Sequence, residues 1–106
     1  MSHSFVHPAS FTATTTVDGD GATVITPTAV NRAGVDVFNA SPTYGIFIRA
    51  VKRGASAPTM TTSAAASYYL PPYGDKHLSF KEPTDLYALN TSGDSTQSTV
   101  TVSELV

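Results

Sequence analysis

The stretch Ala33–Val51, AGVDVFNASPTYGIFIRAV, decides the fold. Val35 and Val37 alternate with Asp36 and Phe38, and Tyr44, Ile46 and Ile48 alternate with Gly45, Phe47 and Arg49. Between the two runs lies Asn39-Ala40-Ser41-Pro42-Thr43. Asn tolerates left-handed backbone, Ser offers a local hydrogen bond, and Pro presets its φ. Period-two alternation on both sides of a short turn cluster predicts a β-hairpin at the centre of a small all-β domain.

Upstream, Ser10–Val17 (SFTATTTV) places Phe11, Ala13, Thr15 and Val17 on one face and Thr12, Thr14 and Thr16 on the other, a strand with one wet face. Asp18-Gly19-Asp20-Gly21 leads into Ala22–Thr26, and the Asp-Gly steps predict a second hairpin built on positive φ. Pro27–Arg32 connects it to the central pair. Met1–Ala9 reads as an arm before the domain, which spans residues 10–106.

Downstream, Ala55–Ala66 is rich in Ala, Ser, Thr and Pro and reads as a long surface loop; Ser63–Ser67 is too short to hold a helix by itself. Ser67–Leu70 is a short strand, Pro71–Asp75 a turn, and His77–Lys81 a strand with Leu78 and Phe80 on one face. After a break at Glu82-Pro83-Thr84, Asp85–Asn90 is apolar on both faces, as in a central or covered strand. Thr91–Ser95 turns the chain into Thr96–Leu105, where Val100 and Val102 oppose Thr99, Thr101 and Ser103. About eight short strands at this spacing predict an antiparallel β-sandwich, jelly-roll-like or Ig-like. Its core is expected to hold Val35, Val37, Ile46, Ile48, Leu78, Phe80, Leu86 and Val100.

Composition narrows the function. The 106 residues carry six Lys plus Arg against eight acids, a net charge of −2, with 13% charged residues. No basic footprint for phosphate neutralisation exists, which argues against nucleic acid as partner. No apolar run approaches the roughly 20 residues that span a bilayer, so no membrane partner is expected. The N-terminus lacks a basic region followed by an apolar stretch, so no secretory signal is expected. The absence of cysteine removes disulfides and thiolate metal sites.

From Asn31 onward the layout resembles a family of small β-sandwich proteins from the virions of tailed bacteriophages. The matching pieces are Arg32, Val35–Ser41, Ile46–Arg49, Leu70–Gly74, Asp85–Asn90 and Thr99–Glu104, in that order. The first 30 residues lie outside the match, and the turn before Gly74 departs from the family's Leu-x-Pro-x-Gly by its Pro-Pro-Tyr. The resemblance implies a structural role in a phage particle: capsid decoration, head-fibre base or tail accessory piece. It further implies a homo-oligomer, a trimer, and no catalysis.

No constellation in the sequence carries chemistry. Asp18-Gly-Asp20-Gly opens like a calcium loop, but its twelfth position is Ala29 where a Glu is needed. His3 and His7 have no third ligand, and His77 has no acid beside it in local spacing. No cofactor is expected. Asn39-Ala40-Ser41 and Asn90-Thr91-Ser92 fit the glycosylation pattern, though turn chemistry explains both. Lys52-Arg53, near Arg49, is either a solvated strand end or a small basic docking cluster.

The candidate interface residues are Phe5, Val6, Phe38, Phe47, Arg49, Tyr68, Tyr69 and Tyr73. Phe38 and Phe47 point away from the core parity, and the tyrosines flank Pro71-Pro72. Within the role that the resemblance implies, these residues and the Ser/Thr/Ala-rich surface suit permanent packing against a shell, so the expectation is a non-enzymatic capsid decoration protein, located in the virion and bound to the major capsid protein or another virion protein. A carbohydrate-binding or fibre-associated adhesion module is the alternative. Phe5 and Val6 make the arm a candidate anchor on a neighbouring subunit.

Overall fold

The computed structural model describes residues 10–26, 34–56, 58–60, 68–80 and 82–105. The arm with Phe5 and Val6, the connection ending at Arg32 and the Ser63–Ser67 stretch lie outside the described residues. Eight strands run in the order β1 (Ser10–Val17), β2 (Thr23–Val24), β3 (Gly34–Asn39), β4 (Ile46–Lys52), β5 (Tyr68–Leu70), β6 (Asp75–Leu78), β7 (Thr84–Asn90) and β8 (Ser98–Leu105). They form two four-stranded sheets, ordered β1-β8-β3-β6 (sheet A) and β2-β7-β4-β5 (sheet B).

The pairing is nested. The first strand pairs with the last, the second with the seventh, the third with the sixth and the fourth with the fifth, all antiparallel. Two further antiparallel ladders, β3 with β8 and β4 with β7, complete the sheets. This is one long doubled ribbon rolled onto itself: the jelly roll, rather than the Ig arrangement.

Rolling corrects both predicted hairpins. β3 and β4 lie in different sheets, as do β1 and β2. The physical reason is the core. As hairpin partners, Val35, Val37, Ile46 and Ile48 would share one sheet face; in opposite sheets each pair covers the other. The turn residues carry out the crossing. Asn39 Oδ1 accepts from Ser41 N at 3.1 Å, and Ser41 Oγ accepts from Thr43 N and Tyr44 N at 3.1 and 2.9 Å. These side-chain turns swing the chain to the other layer where a two-residue turn would fold it back alongside. In the first crossing Asp18 Oδ1 accepts from Asp20 N and Gly21 N. Neither Gly19 nor Gly21 has positive φ; among the described residues Gly54, Gly93 and Tyr73 do. Gly19 is needed for proximity instead, since a Cβ there would lie 2.5 Å from Gly93 N.

Core parity follows the sequence. Val35, Val37, Ile46, Ile48, Leu78, Leu86 and Val100 are buried, with Val17, Ile25, Leu70, Ala88 and Val102, and Phe80 is half-buried against them. Strand limits shift locally. The sixth strand occupies Asp75–Leu78 rather than His77–Lys81, because it pairs with β3 only from Val35 to Phe38. β7, predicted to be central, lies between β2 and β4.

Candidate interaction surfaces

Register lays out the outer face of sheet B in rows. Val24 and Arg49 both stand opposite Tyr87, and Tyr69 and Leu89 both stand opposite Phe47. The Phe47 and Tyr69 rings lie 5.3 Å apart at 44°, within the range of favourable aromatic pairs. Tyr69 lies across Gly45, where any Cβ would collide with its ring and hydroxyl. Tyr69 and Val24 are 52% and 45% exposed, whereas Phe47, Tyr87 and Arg49 are half-buried and Leu89 is buried. The result is an alignment of apolar and aromatic side chains across β2, β7, β4 and β5, exposed at its two ends and half-buried to buried in between. Patches of this kind mark interaction sites more often than scattered single residues do.

The outer face of sheet A is of opposite character. Its rows read Asp75–Phe38–Thr101–Thr14 and His77–Asp36–Ser103–Thr12 across β6, β3, β8 and β1. Thr12 Oγ1 and Ser103 Oγ share a hydrogen bond at 3.1 Å. Phe38, 39% exposed, is the one large apolar side chain in these two rows. It lines a shallow depression of about 450 Å³ with Asp36, Asp75, His77, Thr101 and Ser103. Local spacing gave His77 no acidic neighbour, but the β3–β6 ladder supplies one: His77 Nδ1 is 2.6 Å from Asp36 Oδ1, and Nε2 is 3.2 Å from Ser79 Oγ. An imidazole between a carboxylate and a hydroxyl has the order of a hydrolytic relay. Here the Asp36 and His77 side chains are more than half exposed, and water screens the electrostatic preorganisation on which such a relay depends.

The strand ends carry two buried asparagines. Asn39 Nδ2 donates to Tyr44 O (2.8 Å), Pro71 O (3.1 Å) and Leu70 O (3.4 Å). Asn90 Nδ2 donates to Thr96 O (2.9 Å), Ser98 Oγ (3.1 Å) and Val17 O (3.3 Å), while Ser92 N and Oγ donate to its Oδ1. Each amide joins one sheet to the other. Both residues are at most 1% exposed, so in the fold neither Asn-x-Ser match offers its nitrogen to a glycosyl donor. Beside the Asn39 corner, Gly74 N donates to Pro71 O at 2.8 Å, closing a turn with Tyr73 at φ 59°. That position favours Gly; a Tyr there, 62% exposed, holds a strained backbone at a solvent-facing tip.

At the opposite strand ends, Arg53 Nε meets Asp85 Oδ1 at 3.2 Å. Glu104 shares the inward parity of Val100 and Val102 and is fully buried. Burial pushes its carboxyl above the ordinary range; Arg53 opposes this and Asp85 adds to it. Of the basic residues Arg49, Lys52 and Arg53, Arg53 is thus partly buried and paired with Asp85.

The candidate residues therefore separate. Phe47, Tyr69 and Arg49 share the outer face of sheet B. Phe38, paired with Phe47 by sequence parity, lies on the outer face of sheet A. Tyr68 packs against the core, with Lys76 Nζ 5.5 Å from its ring centroid, and Tyr73 stands at the β5–β6 turn. Sequence reasoning missed Tyr87 and Val24, although Tyr87 has the outward parity of β7. No group of His, Asp and Glu among the described residues is arranged to hold a metal ion. No helix among them is long and apolar enough to cross a membrane. Comparison with protein-family models, curated proteins and solved structures finds no match.

Proposed function

We propose that this chain is a non-enzymatic structural protein of a phage particle, a capsid decoration protein that packs the outer face of sheet B against the major capsid protein. The carrying observation is the strip formed by Val24, Tyr87, Phe47 and Tyr69. Aromatic side chains of this kind supply the desolvated centre of protein interfaces, with Arg enriched beside them. The sequence resemblance supplies the setting, and a rigid two-sheet scaffold suits a permanent contact. The test is occupancy on purified particles: the wild-type chain binds at high copy number, and Phe47→Ala with Tyr69→Ala removes it while the fold persists. Full occupancy by that double variant rejects the face.

The Phe38 depression favours a second reading, an adhesion module that stacks a sugar ring on Phe38 and bonds its hydroxyls to Asp36, Asp75 and Thr101. Binding on a glycan array that Phe38→Ala abolishes would select this reading over the first.

A further inference from the structure

The four edge strands are not protected alike. An edge strand presents unpaired N–H and C=O groups, and proteins blunt such edges by shortness, charge, proline or inward-pointing charged residues. β2 has two residues, and β5 has three and runs into Pro71-Pro72. β6 has four, DKHL. Its Lys76 stands opposite the buried Val37, so it has core-facing parity, yet its ammonium emerges over the Tyr68 ring at the sandwich edge. β1 has none of these devices. It is eight residues long, SFTATTTV, without charge, Pro or Gly. Among the described residues it pairs with β8 alone.

We propose that β1 is a self-association edge, on which a second copy of this chain lays its own β1 antiparallel about a twofold axis. The occupant follows from the residues. In an antiparallel pair, opposed residues face the same side of the sheet, so the twofold must pass through a residue position. Centred on Thr14, it sets Thr14 against its own copy and Thr12 against Thr16 on the outer face, with Ala13 against Thr15 on the inner face. Thr12, Thr14 and Thr16 are exposed and Ala13 and Thr15 half-buried, so exposed meets exposed. Cross-strand Thr–Thr pairs are favourable, and an uncharged strand meets its copy without like-charge repulsion. The hydroxyl row begun by Ser103 and Thr12 then continues into the second copy, and the two sheets A become one eight-stranded sheet. This contact uses none of the sheet B strip and is independent of the capsid reading. It is twofold, whereas the sequence resemblance implies a threefold.

Sedimentation equilibrium of the full chain tests it. The expected mass is a dimer. Thr14→Lys opposes two ammonium groups across the axis and should weaken the dimer at least tenfold with the β-sheet circular dichroism unchanged. T12K/T16K should do the same. T12K/T16E in one chain sets an ammonium opposite a carboxylate twice and should restore the dimer, a rescue specific to the Thr14-centred register. A monomer at every concentration, a trimer, or a dimer indifferent to T14K and T12K/T16K in folded protein overturns the proposal. A dimer broken by T12K/T16K and not recovered in T12K/T16E rejects the register and with it the proposed contact.

Discussion

The two sheets share a core and obey the same alternation, yet their outer faces differ in kind. Sheet A turns out Thr12, Thr14, Thr101, Ser103, Asp36 and His77, groups that water already satisfies. Sheet B turns out Val24, Tyr87, Phe47 and Tyr69, groups that gain by leaving water. Inward parity is fixed by the fold, because both sheets must fill one interior. Outward parity is free of that demand, so a departure from polarity there carries information about what the surface meets. Among the described side chains, sheet A's single departure, Phe38, is surrounded by polar groups; those of sheet B line up across its strands.

The largest expected effect erases the comparison. Ile48→Ala removes a fully buried side chain from the shared interior and should cost about 2–5 kcal/mol in denaturant unfolding, both faces melting in one transition. Separate transitions would make the sheets independent units.

Next come the asparagines that join the layers. Asn39→Ala and Asn90→Ala each strand buried carbonyls, at about 1–3 kcal/mol per group left unsatisfied. Urea midpoints of the two variants measure this. An unchanged midpoint for either would mean that packing alone holds the sheets in place.

The faces themselves are separated by surface truncation. Tyr69→Ala should weaken binding to particles roughly tenfold, about 1.4 kcal/mol, while Thr101→Ala leaves it unchanged. Equal losses from both would dissolve the distinction between the faces. A smaller effect is expected at the tip beside the Asn39 corner. Tyr73→Gly relieves a left-handed Tyr and should raise stability by up to about 1 kcal/mol, the gain being reduced by glycine's chain entropy. Thermal melting decides the sign.

The last prediction changes a slope rather than a level. Glu104 projects from sheet A into the interior, and desolvation raises its folded-state pKa. Its contribution to stability is therefore fully present below the ordinary glutamate pKa and is lost as pH rises through the raised value. Glu104→Gln should flatten stability against pH across that window. A wild-type curve that rises there would show that Arg53 outweighs burial.

The readable part of this molecule was its parity. Period two is a local property, and it placed Val35, Val37, Ile46, Ile48, Leu86 and Val100 inside without knowledge of any partner strand. Pairing was not readable, because it depends on what the corners do. Asn39 and Ser41 looked like hairpin residues, and the same side-chain hydrogen bonds serve a crossing between layers. That error carried into the surface: with β3 and β4 as neighbours Phe38 and Phe47 share a face, and with β3 and β4 in different sheets they cannot. The Asp36–His77 contact joins residues 41 apart in sequence and exists only once β3 pairs with β6. Glu104 was within reach, since it continues the parity of Val100 and Val102, but a carboxylate among inward positions contradicts the composition of a core.

Nested pairing also sets an order in time. Each ladder encloses the ladders nearer the β4–β5 end, so closing an outer one first means fixing the ends of a long free loop, whereas an inner one formed beforehand shortens that loop. The route of least entropy starts where β4 meets β5 and zips outward, and so many distant pairings make it slow for a chain of this size. β1 and β8, whose register joins Ser10 to Leu105, close last. The strand with the least guarded edge is therefore the one that waits longest for its partner during folding, and a newly made chain meets other copies while that strand is still open.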